Sequence, residues 1–485
     1  MTDPSNASPE PAGISRRAFL GAASVALVAH PLHALAAASA PRTGGATHVV
    51  LHAVTCQRSF PRPVPTPVQL LWQRDELALF IHFGINTFTD REWGDGREDP
   101  RLFAPAALDC RQWARAARRA GFRALVLTAK HHDGFCLWPT RTTEHSVAHS
   151  AWRNGDGDVV REFVDACRAE GLRAGLYCSP WDRHEPSYGD SPRYNDLYVD
   201  QLTELLTRYG PIHEVWFDGA NGEGPNGRRQ EYDWPRFWGL VRRLQPDAVI
   251  FSDAGPDVRW IGNEQGIAGD PNWSTVDPSI VPFPGISSEA ALQSLLHGDP
   301  AGTVWRPGEA DVSIRPGWFY HTAEDARVKT ADQLVDLYFQ SVGRNSKLLL
   351  NVPPTPNGLL HETDVARLEA FHRRLTELFG EDVSGHVTWH ATGERTAIAE
   401  SDLGRAVAVG IVDLREDIAH GQVVARYAVD GLVDGAWRTL SRGTTIGYRR
   451  LDRFTPVVVT HVRVRIEEAI DTIRPIDIRL HAGSS

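Results

Sequence analysis

Between residues 77 and 352 the chain alternates short apolar runs with longer stretches of helical periodicity, and this alternation limits its fold more than any other feature. The runs are 77–83, 124–128, 173–178, 214–217, 248–252, 258–261, 312–314 and 348–352. Helical patterns at 112–120, 159–170, 195–209, 234–244 and 331–342 lie between several of them. Gly121, Gly171 and Gly210 stand just past three of these, where a helix ends in a left-handed residue. Parallel strands need long crossovers, so this order implies a parallel sheet with helices outside it. Eight such strands suggest a closed (β/α)8 barrel with insertions. An open doubly wound sheet is the alternative, but no GxGxxG follows the first run and no P-loop is present.

After a helical pattern ending near Phe379 the periodicity changes to two. Residues 386–390, 406–412, 423–429 and 457–466 alternate as strands do, most clearly in Val457-Val458-Val459-Thr460-His461-Val462-Arg463-Val464. The expected organisation is a barrel over 68–382 and an antiparallel β-sandwich over 383–485, preceded by a Pro-rich lead-in at 41–67. The first 40 residues carry Ser15-Arg16-Arg17-Ala18-Phe19-Leu20, a short apolar run and a small-residue stretch. This reads as a twin-arginine-type signal that exports a folded protein to the periplasm or beyond, with a buried N-terminal helix as the alternative. No stretch reaches the roughly 18 apolar residues of a membrane span. Cys56, Cys110, Cys136, Cys167 and Cys178 are odd in number and form no CxxC. They support neither a disulfide framework nor a zinc knuckle, although one bridge after export stays open.

A net charge of -10 offers no electrostatic footprint for nucleic acid or an anionic membrane. The chemistry gathers instead just past the strands, on the face where a barrel converges its side chains. The first strand leads into His82-Phe83-Gly84 and then Glu92-Trp93, the second into His131-His132-Asp133, the third into Tyr177 to Asp182. The fourth gives Trp216-Phe217-Asp218-Gly219, the sixth Arg259 to Glu264, and the seventh Arg315 to Tyr320, with Trp318 among them. Imidazoles and acids hydrogen-bond hydroxyls while indoles cover C–H faces, the mixture a sugar site needs. Asp218 and Glu264, at the ends of different strands, could form the carboxyl pair of a glycoside hydrolase, one a nucleophile and one an acid/base. By residue type alone they could equally be a turn Asp-Gly and a surface acid. His131 and His132 would point to opposite sides of a regular strand, and both could face the centre only if the strand breaks there. A metal site built from His82, His131 and Asp218 is the competing reading.

Taken in order, His82-Phe83-Gly84 with Asn86-Thr87-Phe88, Glu92-Trp93, Lys130-His131-His132-Asp133-Gly134-Phe135, Trp216-Phe217-Asp218-Gly219 and Leu349-Leu350-Asn351-Val352 resemble glycoside hydrolase family 29, the retaining α-L-fucosidases. The resemblance covers roughly residues 65–380 and implies a (β/α)8-like barrel followed by a β-sandwich. It implies Asp218 as nucleophile. The stretch from Arg259 to Gly266, and that from Glu309 to Trp318, look like the subfamily acting on α-1,3/1,4-linked fucose, which implies Glu264 as acid/base. The same resemblance implies fucose binding by His82, Glu92, Trp93, His131, His132, Tyr177 and Trp216, a wall at Trp318, and Arg259 as a partner of the catalytic acids. It implies no metal and no organic cofactor, and a fucosylated oligosaccharide or glycoconjugate as substrate. A broad fucosidase active on simple fucosides, and a non-catalytic sugar-binding protein on the same scaffold, are the rival readings.

Overall fold

The structure, a computed structural model, describes residues 62–483. The expected signal at 1–40, most of the lead-in and Cys56 lie outside the described residues. Eight parallel strands close a barrel: β1 (Leu77–Ile81), β2 (Ala124–Lys130), β3 (Arg173–Cys178), β4 (Glu214–Trp216), β5 (Val249–Ser252), β6 (Val258–Trp260), β9 (Gly308–Ser313) and β10 (Ser346–Asn351). Between β6 and β9 an insertion forms the short antiparallel pair β7 (Thr275–Val276) and β8 (Val304–Trp305). The strand order around the barrel is β1-β10-β9-β6-β5-β4-β3-β2. Every run expected from the sequence contributes one of these strands, because strands covered on both faces are written as near-continuous apolar runs.

Helices Cys110–Arg119, Val159–Ala169, Ser191–Arg208, Trp234–Leu244, Ala331–Gln340 and Glu362–Phe379 surround the strands. Gly121, Gly171 and Gly210 have φ of 85°, 69° and 77°, as their places past helix ends require. The alternation lapses between β5 and β6, which are joined directly by residues 253–257 without a helix. One further helix, Pro67–Arg74, begins inside the Pro-rich segment read as an extended lead-in. Pro67 occupies its first turn, where a missing N–H costs nothing, and Thr66 and Gln69 close a capping box. The helix reaches into the barrel: the Trp72 indole donates to Glu214 Oε2 at 3.0 Å, and Gln69 donates to the carbonyls of Asp257 and Trp305.

The barrel interior is partly polar. Lys347 lies 3.2 Å from Glu214 and 4.0 Å from Glu309, with its ammonium over the Trp72 ring. Burial, reinforced by neighbouring Glu214, pushes the Glu309 carboxyl well above the usual range.

The C-terminal residues form an antiparallel sheet of β11 (His386–Ala391), β12 (Ala397–Arg415), β13 (Val424–Val433), β14 (Ala436–Gly443), β15 (Arg450–Ala469) and β16 (Asp477–His481). Its order is β11-β12-β15-β13-β14, with β16 paired to β12. The six strands are joined in one hydrogen-bonded network, not two separate sheets. Register breaks between Asp402 and Val407 and between Val409 and Ile411 interrupt the long β12–β15 pairing, and bulges of this kind bend a sheet. Val409, Val412, Tyr427, Val464 and Leu480 share its apolar core. Ion pairs tie it to the barrel: Arg449, held at 2.8 Å by the sheet's own Asp413, joins Glu76 at 2.7 Å, and Arg450 joins Asp270 at 2.9 Å.

Candidate active site

The carboxyl ends of β1 to β4 and β9 bring most of the singled-out residues together. Strand alternation turns Trp216 inward and Phe217 outward, and the next inward residue is Asp218. Asp218 is buried; its Oδ1 accepts from the Ala220 amide at 2.8 Å and its Oδ2 from the Tyr177 hydroxyl at 3.1 Å. Below it, Trp216 is fully enclosed, stacked on Phe251 and donating to Glu309 Oε1 at 2.9 Å. Trp216 thus forms part of the floor under Asp218, and its indole N–H is engaged with the barrel interior.

Strand β2 ends at Lys130, so His131 and His132 lie in the turn beyond it and both enter the site, their rings 4.1 Å apart. Ser179 Oγ donates to the Trp181 carbonyl at 2.7 Å and so accepts from His132 Nδ1 at 2.8 Å. That assigns the Nδ1 proton and turns Nε2 toward Asp218 Oδ2, 3.9 Å away. His131 stacks on the Tyr177 ring. His82 is fixed in the same manner by Asn351, whose Nδ2 donates to Ser313 and to the Trp318 carbonyl while its Oδ1 accepts from His82 Nδ1 at 2.8 Å. The lone pair of His82 is then on Nε2.

Trp318 is half-buried with its ring 5.1 Å from His82. Glu92 clasps it there: its carboxylate accepts from the amides of Trp318 at 2.8 Å and Phe319 at 3.0 Å and pairs with His321 at 2.7 Å. This contact, helped by Asp90, holds the His321 imidazole up at about 9. Trp93 meets His132 and Trp181 edge-on. Beneath the histidines, Lys130 is buried against Asp182 at 3.0 Å and Gln201 at 2.9 Å. Burial opposes the charge on Lys130, but Asp182 outweighs it and the net shift is upward. Burial, with the nearby Glu98 and Asp182 carboxylates, lifts the Asp133 carboxyl to about 7.

Glu264 sits half-buried in the turn after β6. Gly262 and Gly266 flank it with φ of 81° and 72°, and the Asn263 side chain closes the turn through Gln265 and Ile267. Arg259 does not join the acids. Trp260 takes the inward position, donating to Asp311 at 2.7 Å, so Arg259 falls on the outer face. There its guanidinium donates to the Leu295 carbonyl at 2.9 Å, to Asn272 at 2.7 Å and to the Arg306 carbonyl. It braces the insertion and contacts neither Asp218 nor Glu264, unlike the expected partner role. Asn351, Ser179 and Glu309 orient site residues; they lie in the stretches quoted above but were given no role, since only long-range contact reveals their partners. Among the described residues no group of three or more His, Cys, Asp or Glu is arranged to hold a metal ion, and no helix is long and apolar enough to cross a membrane. Cys110, Cys136, Cys167 and Cys178 are free and buried.

The alpha-L-fucosidase family profile matches residues 86–377. The chain belongs to this family. It is 46% identical over 436 residues to a putative alpha-L-fucosidase 1 of Oryza sativa subsp. japonica, covering 84% of this chain and 83% of the relative. A putative alpha-L-fucosidase from Bacteroides ovatus superposes with a TM-score of 0.79 at 47% identity, covering 87% of this chain and 74% of the other. A Ruminococcus gnavus glycoside hydrolase family 29 fucosidase, solved in complex with fucose, gives 0.79 at 32% identity over 88% and 96% of the two chains. The protein is a glycoside hydrolase with α-L-fucosidase activity, built as that family is on a closed eight-stranded barrel followed by an antiparallel sheet.

Proposed function

We propose that this α-L-fucosidase is a retaining exo-enzyme that removes α-1,3/1,4-linked L-fucose from branched, Lewis-type glycans. Asp218 attacks the anomeric carbon as Glu264 protonates the departing glycosidic oxygen, and the C–O bond breaks to leave a fucosyl ester on Asp218. Glu264 then deprotonates a water, which displaces Asp218 and releases L-fucose with retained configuration. The observation that carries this reading is the setting of Asp218: buried at a strand tip, hydrogen-bonded by Tyr177, and facing the Nε2 of an oriented His132. The position of Glu264 supports its role. β4 and β6 are separated only by β5. At about 4.8 Å per strand their tips stand about 10 Å apart. Carboxylates reaching toward each other from those tips would come to the roughly 5–5.5 Å that a retaining pair needs.

In this reading His82, His131, His132 and Glu92 take the sugar hydroxyls, and Trp93 and Trp216 line the pocket. Trp318 forms the wall near the sugar methyl. The fucose complex of the Ruminococcus gnavus relative supports a fucose-sized pocket here. The linkage rests on the turn Arg259 to Gly266 and on Glu309 to Trp318, which look like the linkage-selective subfamily. We propose further that the Arg16-Arg17 segment directs export of the folded enzyme, which N-terminal sequencing of the secreted form would check.

The test is free L-fucose released from a Lewis a-type trisaccharide beside an aryl α-L-fucoside, with D218A as control. Fast release from the branched sugar, poor aryl turnover and an inactive but folded D218A are expected. The reverse preference would overturn the linkage, and a fully active D218A would overturn the nucleophile. Sugar binding without turnover of either substrate would make the protein a binding module.

A further inference from the structure

We infer that His321 is a positioning residue of the sugar site, an imidazolium latch that holds Glu92 and the Trp318 wall in place and so sets both fucose affinity and the alkaline limit of turnover. This rests on the reading of Glu92 and Trp318 as sugar contacts.

The charge of the ring follows from its contacts. Nδ1 lies 2.6 Å from Asp90 Oδ1, and Nε2 lies 2.7 Å from Glu92 Oε1. An ionised carboxylate only accepts, so both ring nitrogens donate, and an imidazole that donates twice is an imidazolium. The hydrogen bond to Glu92, with that to Asp90 behind it, keeps the proton on the ring up to about pH 9. His321 stands in the loop after β9, whereas Asp90 and Glu92 belong to the segment after β1. The cation therefore pins one side of the mouth to the other.

Glu92 shows what the latch holds. Its Oε1 accepts from the Phe319 amide and from His321, which takes up both lone pairs of that oxygen. Its Oε2 accepts from the Trp318 amide and keeps one lone pair. The acceptor left for a sugar hydroxyl is thus fixed on the oxygen that also grips Trp318. A β-carbon at Gly317 would lie 2.5 Å from Glu92 Oε1, so the turn is seated directly on the carboxylate. Asp90 has φ of 53° and ψ of 45°, a left-handed conformation that aspartate tolerates better than most side chains. The neighbouring charges are turned elsewhere: Arg91 faces Asp95 and Glu98, and Glu324 takes the Gly317 amide and Arg327. Once neutral, the ring donates through one nitrogen and turns a lone pair on the other carboxylate. It can then serve Asp90 or Glu92 but not both, and the link across the mouth opens.

The test follows kcat/KM for α-L-fucosyl fluoride from about pH 6 to about pH 10.5. Fluoride leaves without a proton, so titration of Glu264 does not mask the alkaline limb. In the parent kcat/KM should fall as pH rises through about 9. H321Q, which donates through a neutral amide, should raise KM about tenfold or more near pH 7 with kcat within about threefold, and should lose the alkaline limb. D90N leaves Glu92 in place and suits the left-handed position, and withdrawing its charge should move the limb to lower pH. A residue that only braced the loop would lower the melting temperature of H321Q and leave KM and the pH profile as they were. That outcome, or the same alkaline limb in parent and H321Q, would overturn the assignment. Affinity for L-fucose, read by intrinsic tryptophan fluorescence, reports on the same groups without chemistry. Binding that weakens through about pH 9 in the parent but not in H321Q supports the latch even if no fucoside is turned over, in which case the failure is that of the catalytic reading. Affinity in the parent that does not change with pH overturns it.

Discussion

Gly219→Ala tests how tightly Asp218, the proposed nucleophile, is positioned. A β-carbon at residue 219 would lie 1.8 Å from Asp253 Oδ2 and 2.5 Å from its Cγ. Non-bonded heavy atoms settle near about 3.5 Å, so the shortfall is more than about 1.5 Å. Either Asp253 swings away and gives up its hydrogen bond from the Gly285 amide, or the backbone at 218–220 moves and takes Asp218 with it. Overpacking of this kind costs about 1–3 kcal/mol. A shift of about 1 Å at a reacting group can lower turnover by about 100-fold. We expect G219A to fold, to melt a few degrees lower and to lose about 100-fold in kcat on α-L-fucosyl fluoride, followed by fluoride release. The cycle with D253A isolates the cause: adding G219A to D253A should cost little, because the obstructing carboxylate is gone. Near-parental turnover in G219A, or an undiminished loss when it is added to D253A, would refute the argument.

Tyr177→Phe removes the 3.1 Å hydrogen bond to Asp218, and bonds to charged groups are worth about 1.5–3 kcal/mol, so kcat/KM should fall by roughly 10- to 100-fold with the melting temperature nearly unchanged. A loss under twofold would remove Tyr177 from the site's working parts. Asp133 has its pKa raised to about 7 from 3.8, so the folded state holds the proton longer; this contribution is fullest below pH 3.8 and is lost as pH rises through 7. Asp133→Asn keeps an acceptor for the Phe135 amide, and it should therefore melt higher than the parent at pH 8 by more than at pH 5, on the order of 2 kcal/mol. Identical pH dependence of melting in the two proteins would contradict it. Arg449→Ala strips Glu76 and Asp413 of their nearest guanidinium and leaves them the partly exposed Arg415 at 3.6 and 3.2 Å, so it should destabilise by about 1–3 kcal/mol, yet leave kcat per folded molecule unchanged, as thermal melts with active-site titration would show.

The barrel was legible because its strands are covered on both faces and carry an unbroken apolar signature, even where Glu214 or Lys347 interrupts the run. Helix Pro67–Arg74 was hidden because prolines in the preceding residues read as extended chain, while Pro67 itself starts the helix. Strand β14 is largely exposed and carries no clean alternation, and β16 alternates but over only five residues. The gathering of strand-end residues around Asp218 was legible from their type and place. Arg259 was misread because its neighbour Trp260, not Arg259, faces inward, and a short strand does not declare its register. Asn351, Ser179 and Glu309 act on residues 269, 47 and 93 positions away, which no local pattern encodes.

The ties between barrel and sheet have a consequence for how this enzyme can be presented to large glycoconjugates. Glu76, just before β1, and Asn345, just before β10, mark the pole of the barrel opposite the strand tips, and the sheet is fastened there through Arg449 and Tyr448. Arg62, the first described residue, donates to the Gln422 carbonyl at 3.2 Å, and β16 closes the chain on β12 of that same sheet. Both ends of the folded body therefore emerge at the blunt pole. A linker, a solid support or a neighbouring module attached at either end would hold the enzyme from behind, with its mouth turned toward a glycan-coated surface.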